Sequence, residues 1–255
     1  MDRKLYKVPF QENSVPDWQC PTCQKGFLLI VDKTFVSREL ALSKRGKDHP
    51  EWDPDWIQYT YSCMLECSNE KCKEVVANIG SGRVDWDVEL DEEGIPEQVY
   101  SDYFKPLYFY PHLMLIKIPA NTPEEVKSSL EKSFNLFFAS PASAANNVRI
   151  AVEELLTSLG VKRYLTIKGK RRFITLHERI SLLPVKYNEL KDLFLAVKWL
   201  GNAGSHSGET LSVDDVMDSY EIIEHILGEI FEEKSSKVKA IAKKIIKAKG
   251  PKKKA

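Results

Sequence analysis

A chain of 255 residues with 43% apolar and 29% charged residues is long enough for two ordinary domains with real cores, and has the composition of a soluble globular protein. No stretch approaches the ~20 consecutive apolar residues of a membrane span, and the N-terminus Met1-Asp-Arg-Lys-Leu-Tyr-Lys does not look like a signal peptide, so the sequence reads as cytoplasmic with no membrane partner. The net charge of zero conceals two poles: 15 acidic against three basic residues from Asp48 to Asp102, and ten lysines with no acid from Lys234 to Ala255.

Two close cysteine pairs dominate the N-terminal third, Cys20-Pro-Thr-Cys23 and Cys67-Ser-Asn-Glu-Lys-Cys72. Each spacing lets two thiolates grip one ion from a tight turn, and two such knuckles supply the four sulfurs of a tetrahedral zinc site. A reducing compartment favours metal over disulfides. A site closed by four thiolates leaves no position for substrate or water, so the zinc is expected to be structural. The bland alternative is four reduced cysteines in a decayed ribbon. Cys63, four residues before Cys67, could replace it as a ligand, although a core position is the more ordinary role for such a residue.

Gly26-Phe-Leu-Leu-Ile-Val-Asp after the first knuckle is an apolar run of strand length. The polar stretch around Gly46, Pro50 and Pro54 reads as an excursion loop. Residues 56–67 read as a strand entering the second knuckle and 75–79 as a strand leaving it, the pattern of a zinc ribbon. The acidic span 85–97, with Gly94 and Pro96, reads as an exposed loop, and the aromatic-rich 103–118 as a further strand and crossing segment. This predicts a zinc-ribbon-like β domain over 1–118.

From 119 to 233 the pattern is helical. Thr122-Pro-Glu-Glu is a helix start, with Thr at the N-cap and acids at the positive end of the dipole. Val126, Leu130, Phe134, Phe137 and Phe138 then recur at helical spacing. Ser140-Pro141 starts the next helix, with Ala144, Val148, Ala151, Val152, Leu155 and Leu159 on its apolar face and Gly160 at its end. The basic segment 161–173 has a hairpin tip at Lys168-Gly-Lys-Arg-Arg172. A shorter helix over 175–183 stops at Pro184, another over 188–200 ends at Gly201, and Ser212-Val-Asp-Asp215 caps the last long helix. The lysine-rich remainder, 234–255, forms a separate C-terminal helix or tail.

Three groups could carry chemistry beyond the cysteines. Lys198-Trp-Leu-Gly-Asn-Ala-Gly-Ser-His206 lies at a helix–helix corner, where Asn202 and His206 offer an amide and an imidazole that titrates near neutrality. If a helical turn persists there, a spacing of four puts both on one face, and the histidine could act as general acid or base on a ribose phosphate. The structural alternative is a helix C-cap. Arg149 and Glu153 form an i, i+4 pair that is either a plain salt bridge or turned toward that corner. In the tail, Lys243, Lys244 and Lys247 could attract phosphates without sequence preference, or simply solvate a fraying helix end. No Gly-rich phosphate loop, Ser/His/Asp motif or paired-carboxylate metal signature is present.

Taken together, Cys-Pro-Thr-Cys, the second knuckle, Arg149 with Glu153, and Leu200-Gly-Asn-Ala-Gly-Ser-His206 resemble family 4145 of the domains of unknown function, many members of which carry an N-terminal zinc ribbon. The helical half, from about residue 121 to 231, looks like that family's core, which is similar to the HEPN superfamily of four-helix domains. The fold implied is α+β: an N-terminal zinc-ribbon-like β domain followed by an all-α HEPN-like bundle. The resemblance implies a prokaryotic defence or restriction context, a homodimer through the bundle, and an active site of Arg, a polar residue, three others and His. Asn202 and His206 match the last two motif residues, but Gly201 stands where the arginine is expected. Without that charge a phosphorane-like transition state lacks its stabiliser. The expected function is therefore a zinc-binding, non-catalytic module for nucleic acid, RNA or DNA, or for a protein partner. The alternative is a metal-independent ribonuclease using His206, with Asn202 and Arg149 or a lysine.

Overall fold

In the N-terminal part of the chain, alternation of buried and exposed side chains builds the inner region of a sheet. In the computed structural model, which describes residues 2–91, 93–203 and 211–232 together with Lys243 and Ile246, the elements of this part are helix α1 (Lys4–Lys7), strands β1 (Leu28–Ile30) and β2 (Val36–Glu39), helix α2 (Ala41–Gly46), and strands β3 (Gln58–Cys67), β4 (Val75–Leu90) and β5 (Pro96–Tyr110). They form one antiparallel sheet in the order β1-β3-β4-β5. Both β1 and β2 lie on one edge of β3, against residues 65–67 and 59–62 respectively. Along β3 the residues Tyr61, Cys63, Leu65 and Cys67 are buried at period two, so a single face of the strand runs from an aromatic core to the cysteine at its end. That core stacks Phe35 on Tyr61 with ring centroids 5.2 Å apart and sets Phe10 edge-on to Trp18 at 5.4 Å. A buried amide within it, Asn78, is satisfied on both sides: Tyr61 Oη donates to its Oδ1 at 2.7 Å, and its Nδ2 donates to the Tyr108 carbonyl at 2.9 Å.

Two sequence expectations change here. The acidic span 85–97 is not a loop. It belongs to the outer half of a long hairpin in which β4 and β5 stay in register from Asp85↔Ser101 to Leu90↔Pro96, beyond which the Asp91 amide donates to the Ile95 carbonyl at 2.9 Å. Asp85, Asp87 and Glu89 alternate with Trp86, Val88 and Leu90, a strand period that survives the acidic composition because both faces meet solvent. The polar stretch expected to be an excursion loop contains β2 and α2.

The C-terminal part is a helical bundle: α3 (Glu124–Leu136), α4 (Pro141–Ser158), α5 (Leu176–Ser181), α6 (Lys191–Ala203) and α7 (Val213–Phe231), with a 3-10 segment at Val185–Leu190. A small hairpin, β6 (Tyr164–Ile167) and β7 (Lys170–Phe173), interrupts it at the expected tip. Ser140 with Pro141 opens α4, Ser212 and Asp215 form a capping box on α7, and Thr175 and Glu178 form another on α5. The first helix starts differently from expectation. Pro123, not Thr122, holds the N-cap position of α3, and the buried Thr122 hydroxyl has no hydrogen-bond partner among the described residues. Inside the bundle Ser133 donates to the Ala144 carbonyl at 2.7 Å and so receives the Tyr220 hydroxyl, also at 2.7 Å, tying α3, α4 and α7.

The chain is thus α+β in two parts, β-rich then helical, yet a single hydrophobic core runs through both. Tyr6 of α1 meets Phe137 edge-on at 6.3 Å, and Phe109 at the end of β5 lies 5.1 Å from Phe138. Arg3 and Lys7 flank Tyr6 and reach the acidic start of α7 at Asp218 and Asp214, each at 2.6 Å. No described helix is long and apolar enough to cross a membrane.

Candidate metal centre and helix-corner site

The end of β3 and the turn into β4 meet the loop before β1, and this brings all four predicted cysteines together. Their sulfurs lie within 4.8 Å of one another, with Cys20–Cys72 at 3.8 Å and Cys23–Cys67 at 3.7 Å. A tetrahedral ion with bonds of ~2.3 Å to thiolates places its sulfurs about 3.8 Å apart, whereas a disulfide would bring two of them to ~2.05 Å. The spacing fits one metal ion and no disulfide, and none of the five cysteines is joined to another. Cys63 is not part of the cluster. It is buried in the sheet, 3.9 Å from Asn78 Oδ1, where burial pushes its thiol up to about 12.

The two knuckles share a construction. In each, the residue after the second cysteine takes a left-handed backbone, Gln24 at φ 51° and Lys73 at φ 53°, which curls the chain around the sulfurs. The amides of Gly26 and Lys25 pull the Cys23 thiol down to about 6, with help from Asn69. Asn69 donates its backbone amide to Cys67 Sγ at 3.4 Å and its side-chain amide to Cys23 Sγ at 3.6 Å, bridging the pairs. Thr22 of the first knuckle donates to the Glu74 carboxylate beside the second. Burial, with Cys20 and Cys23 adding to it, pushes Cys67 up to about 12. Like-charged sulfurs crowded out of water resist ionisation, and a divalent cation is what reverses that penalty. Sequence reading missed Gly26 and Asn69. A Cβ at Gly26 would stand 2.6 Å from Cys67 Sγ and 2.9 Å from the Asn69 nitrogen, so only glycine lets the knuckles close. The available signal was a glycine three residues after the second cysteine of the first knuckle.

The second locus lies between α4 and α6. Gly201 is not the helix end that sequence suggested: α6 continues through it to Ala203, and Gly201 is buried against α4. A Cβ there would meet Arg149 Cβ at 2.5 Å, the Ala145 carbonyl oxygen at 3.0 Å and Arg149 Cδ at 3.2 Å. Arg149 therefore does approach the corner in space. Its guanidinium pairs with Glu153 at 2.9 Å and donates to Asn146 Oδ1 at 3.4 Å, while its buried Nε has no partner among the described residues. Asn202 follows Gly201 and is half-buried. His206, Lys244 and Lys247 lie outside the described residues, and Lys243 is helical and exposed.

Fold and site together define a two-part α+β protein whose β-rich part carries four cysteines close enough to hold one metal ion. Residues 8–109 match the model of a domain of unknown function, DUF8608, and residues 131–248 match that of a second, DUF4145. The resemblance of the helical half to family 4145 is thus found, over a segment that extends into the lysine-rich tail, while the β-rich half matches a family of its own. No curated protein and no solved structure matches the chain.

Proposed function

We propose that the protein is a zinc-stabilised, non-catalytic nucleic-acid-binding module, built from a zinc-ribbon-like β part and a HEPN-like helical bundle. It acts in the cytoplasm, in a defence or restriction setting, as a dimer through the bundle. Cys20, Cys23, Cys67 and Cys72 hold the zinc, which supplies cross-linking and charge neutralisation and no open coordination position. The observation that carries the non-catalytic reading is the packing at Gly201. The position that would hold the arginine has no room for even a Cβ, so this bundle cannot place a guanidinium there without moving α4 from α6.

A second reading, a ribonuclease using His206 and Asn202, is favoured by the contact of Arg149 with Gly201. It ranks lower because Glu153 already neutralises that guanidinium. The test is metal and RNA together. Purified under reducing conditions, the protein should carry one zinc per chain, lose it in Cys20→Ser, and retain single-stranded RNA uncut. Absence of stoichiometric metal would remove the zinc reading, and absence of nucleic-acid retention would remove the binding role.

A further inference from the structure

The β6–β7 hairpin is a strand pair that buries nothing. All eight of its residues are exposed, among them Phe173 at 54% and Tyr164 at 41%. A two-stranded hairpin is marginal in water without a packed face, yet this one is held firmly at its base. The Ile174 amide donates to the Arg163 carbonyl at 2.9 Å, Ile174 and Val161 are buried, and Arg179 beneath donates to the Val161 carbonyl at 3.1 Å. Arg163 is further pinned to Glu154 of α4, and Arg172 to Glu178 of α5. The blade is thus mounted on the bundle and projects from it. Its tip is a two-residue turn with both residues at positive φ, Lys168 at 50° and Gly169 at 74°, a geometry matched to strand twist.

Residues 162–172 contain six cations and no acid. Two of them serve the mount. The other four, Lys162, Lys168, Lys170 and Arg171, have no carboxylate in ion-pair contact among the described residues. Because Tyr164 pairs with Phe173 and Thr166 with Arg171, one face of the ribbon gathers both rings and a guanidinium. The rings meet edge-on at 5.7 Å, and the Arg171 guanidinium lies 3.7 Å over the Tyr164 ring. An exposed planar surface beside unneutralised cations is complementary to a strand of phosphates with free bases. A duplex would use the cations alone and leave Phe173 without a role.

We propose that the β6–β7 hairpin is a binding wing for single-stranded nucleic acid, gripping phosphates through Lys168, Lys170 and Arg171 and stacking a base on Phe173. The wing rests on the nucleic-acid-binding reading above and gives it a surface other than the lysine tail.

The probe is a fluorescent, 2′-O-methylated single-stranded RNA, which a 2′-hydroxyl-dependent nuclease cannot cut, titrated with the full-length zinc-loaded protein at several salt concentrations. Lys170→Ala/Arg171→Ala should weaken binding by at least tenfold and reduce the salt slope by about 1.4, or ~0.7 per lost phosphate contact on a single strand. Phe173→Leu keeps apolar bulk and should weaken binding about tenfold with the slope unchanged, the lower end of a stacked base's contribution. Unaltered thermal unfolding would show that each variant is folded. Wild-type affinity in both folded variants would overturn the wing while leaving the module's binding role intact. No binding by the wild type would overturn both. A change of oligomeric state in place of RNA affinity would show that the blade meets the acidic β4–β5 hairpin of a second copy, and would also overturn the proposal.

Discussion

Gly201 of α6 sets its bare α-carbon against the side-chain stem of Arg149 on α4, with room for nothing between them. The arginine that a HEPN-type site would carry on α6 is absent, and an arginine from the neighbouring helix fills the space beside it. Its charge goes to Glu153 rather than to an open site. This contact fixes the helix spacing at the corner that holds Asn202.

Gly201→Ala should therefore destabilise the protein. In an open helix interior the same change adds about 1 kcal/mol through propensity. Overpacking against Arg149 and the Ala145 carbonyl should reverse the sign, giving a net loss of about 1–3 kcal/mol in urea unfolding. Gly201→Arg, which restores the motif on paper, should cost more and create no nuclease. A stable, cleaving Gly201→Arg variant would show that α4 and α6 separate readily.

The cysteines should divide into two classes. Cys67→Ser breaks the sulfur quartet and should abolish zinc retention together with a large part of the folding free energy, since for structural sites ion binding is folding energy on the scale of ~10 kcal/mol. Cys63→Ala should keep one zinc per chain and lose only core packing. Metal analysis of the two variants after gel filtration separates them, and equal zinc loss in both would mean that Cys63 is a ligand.

Glu178 supplies a pH dependence with a definite sign. Its bonds from Arg172 and from the Thr175 backbone and hydroxyl hold its carboxyl down at about 2. A depressed folded-state value contributes stability that is present above the unfolded value of 4.5 and is lost as pH falls toward 2. Glu178→Gln should accordingly lower the melting temperature at pH 7 and have little effect near pH 2. An equal effect at both pH values would show that the carboxylate charge does not matter to the cap of α5.

The junction between the two parts should be structural rather than a loose tether. Phe137 is 1% exposed and packs against Tyr6 of α1 and Tyr220 of α7. Phe137→Ala should cost about 3–5 kcal/mol in chemical unfolding. A cost below 1 kcal/mol would show that the helical part repacks without the contact from α1.

Where a signal was local, it was legible in the sequence. Cysteine spacing located the four-cysteine cluster, Ser140-Pro141, Thr175 and Ser212 marked helix starts, and Lys168-Gly169 marked a turn, because caps and knuckles are decided within a few residues. Trp86, Val88 and Leu90 alternated with acids in plain view, yet acidity together with Gly94 and Pro96 outweighed the period and suggested a loop. Gly201 resembled a C-cap because the reason for it, the approach of Arg149, lies 52 positions earlier in the chain. Asn69 was invisible for the same reason, since it acts on a sulfur of the opposite knuckle, and Gly26 left only its spacing from Cys23 as a signal, its reason lying at Cys67. His206, central to the catalytic alternative, lies outside the described residues.

The central claim is a folded, zinc-loaded module that holds nucleic acid without cutting it. Its most direct test is incubation of the purified protein with labelled single-stranded RNA, without added metal, beside His206→Ala. The account predicts that both proteins shift the RNA and both leave it intact. Cleavage by the wild type that is lost in His206→Ala would contradict it and assign the α4–α6 corner to a ribonuclease.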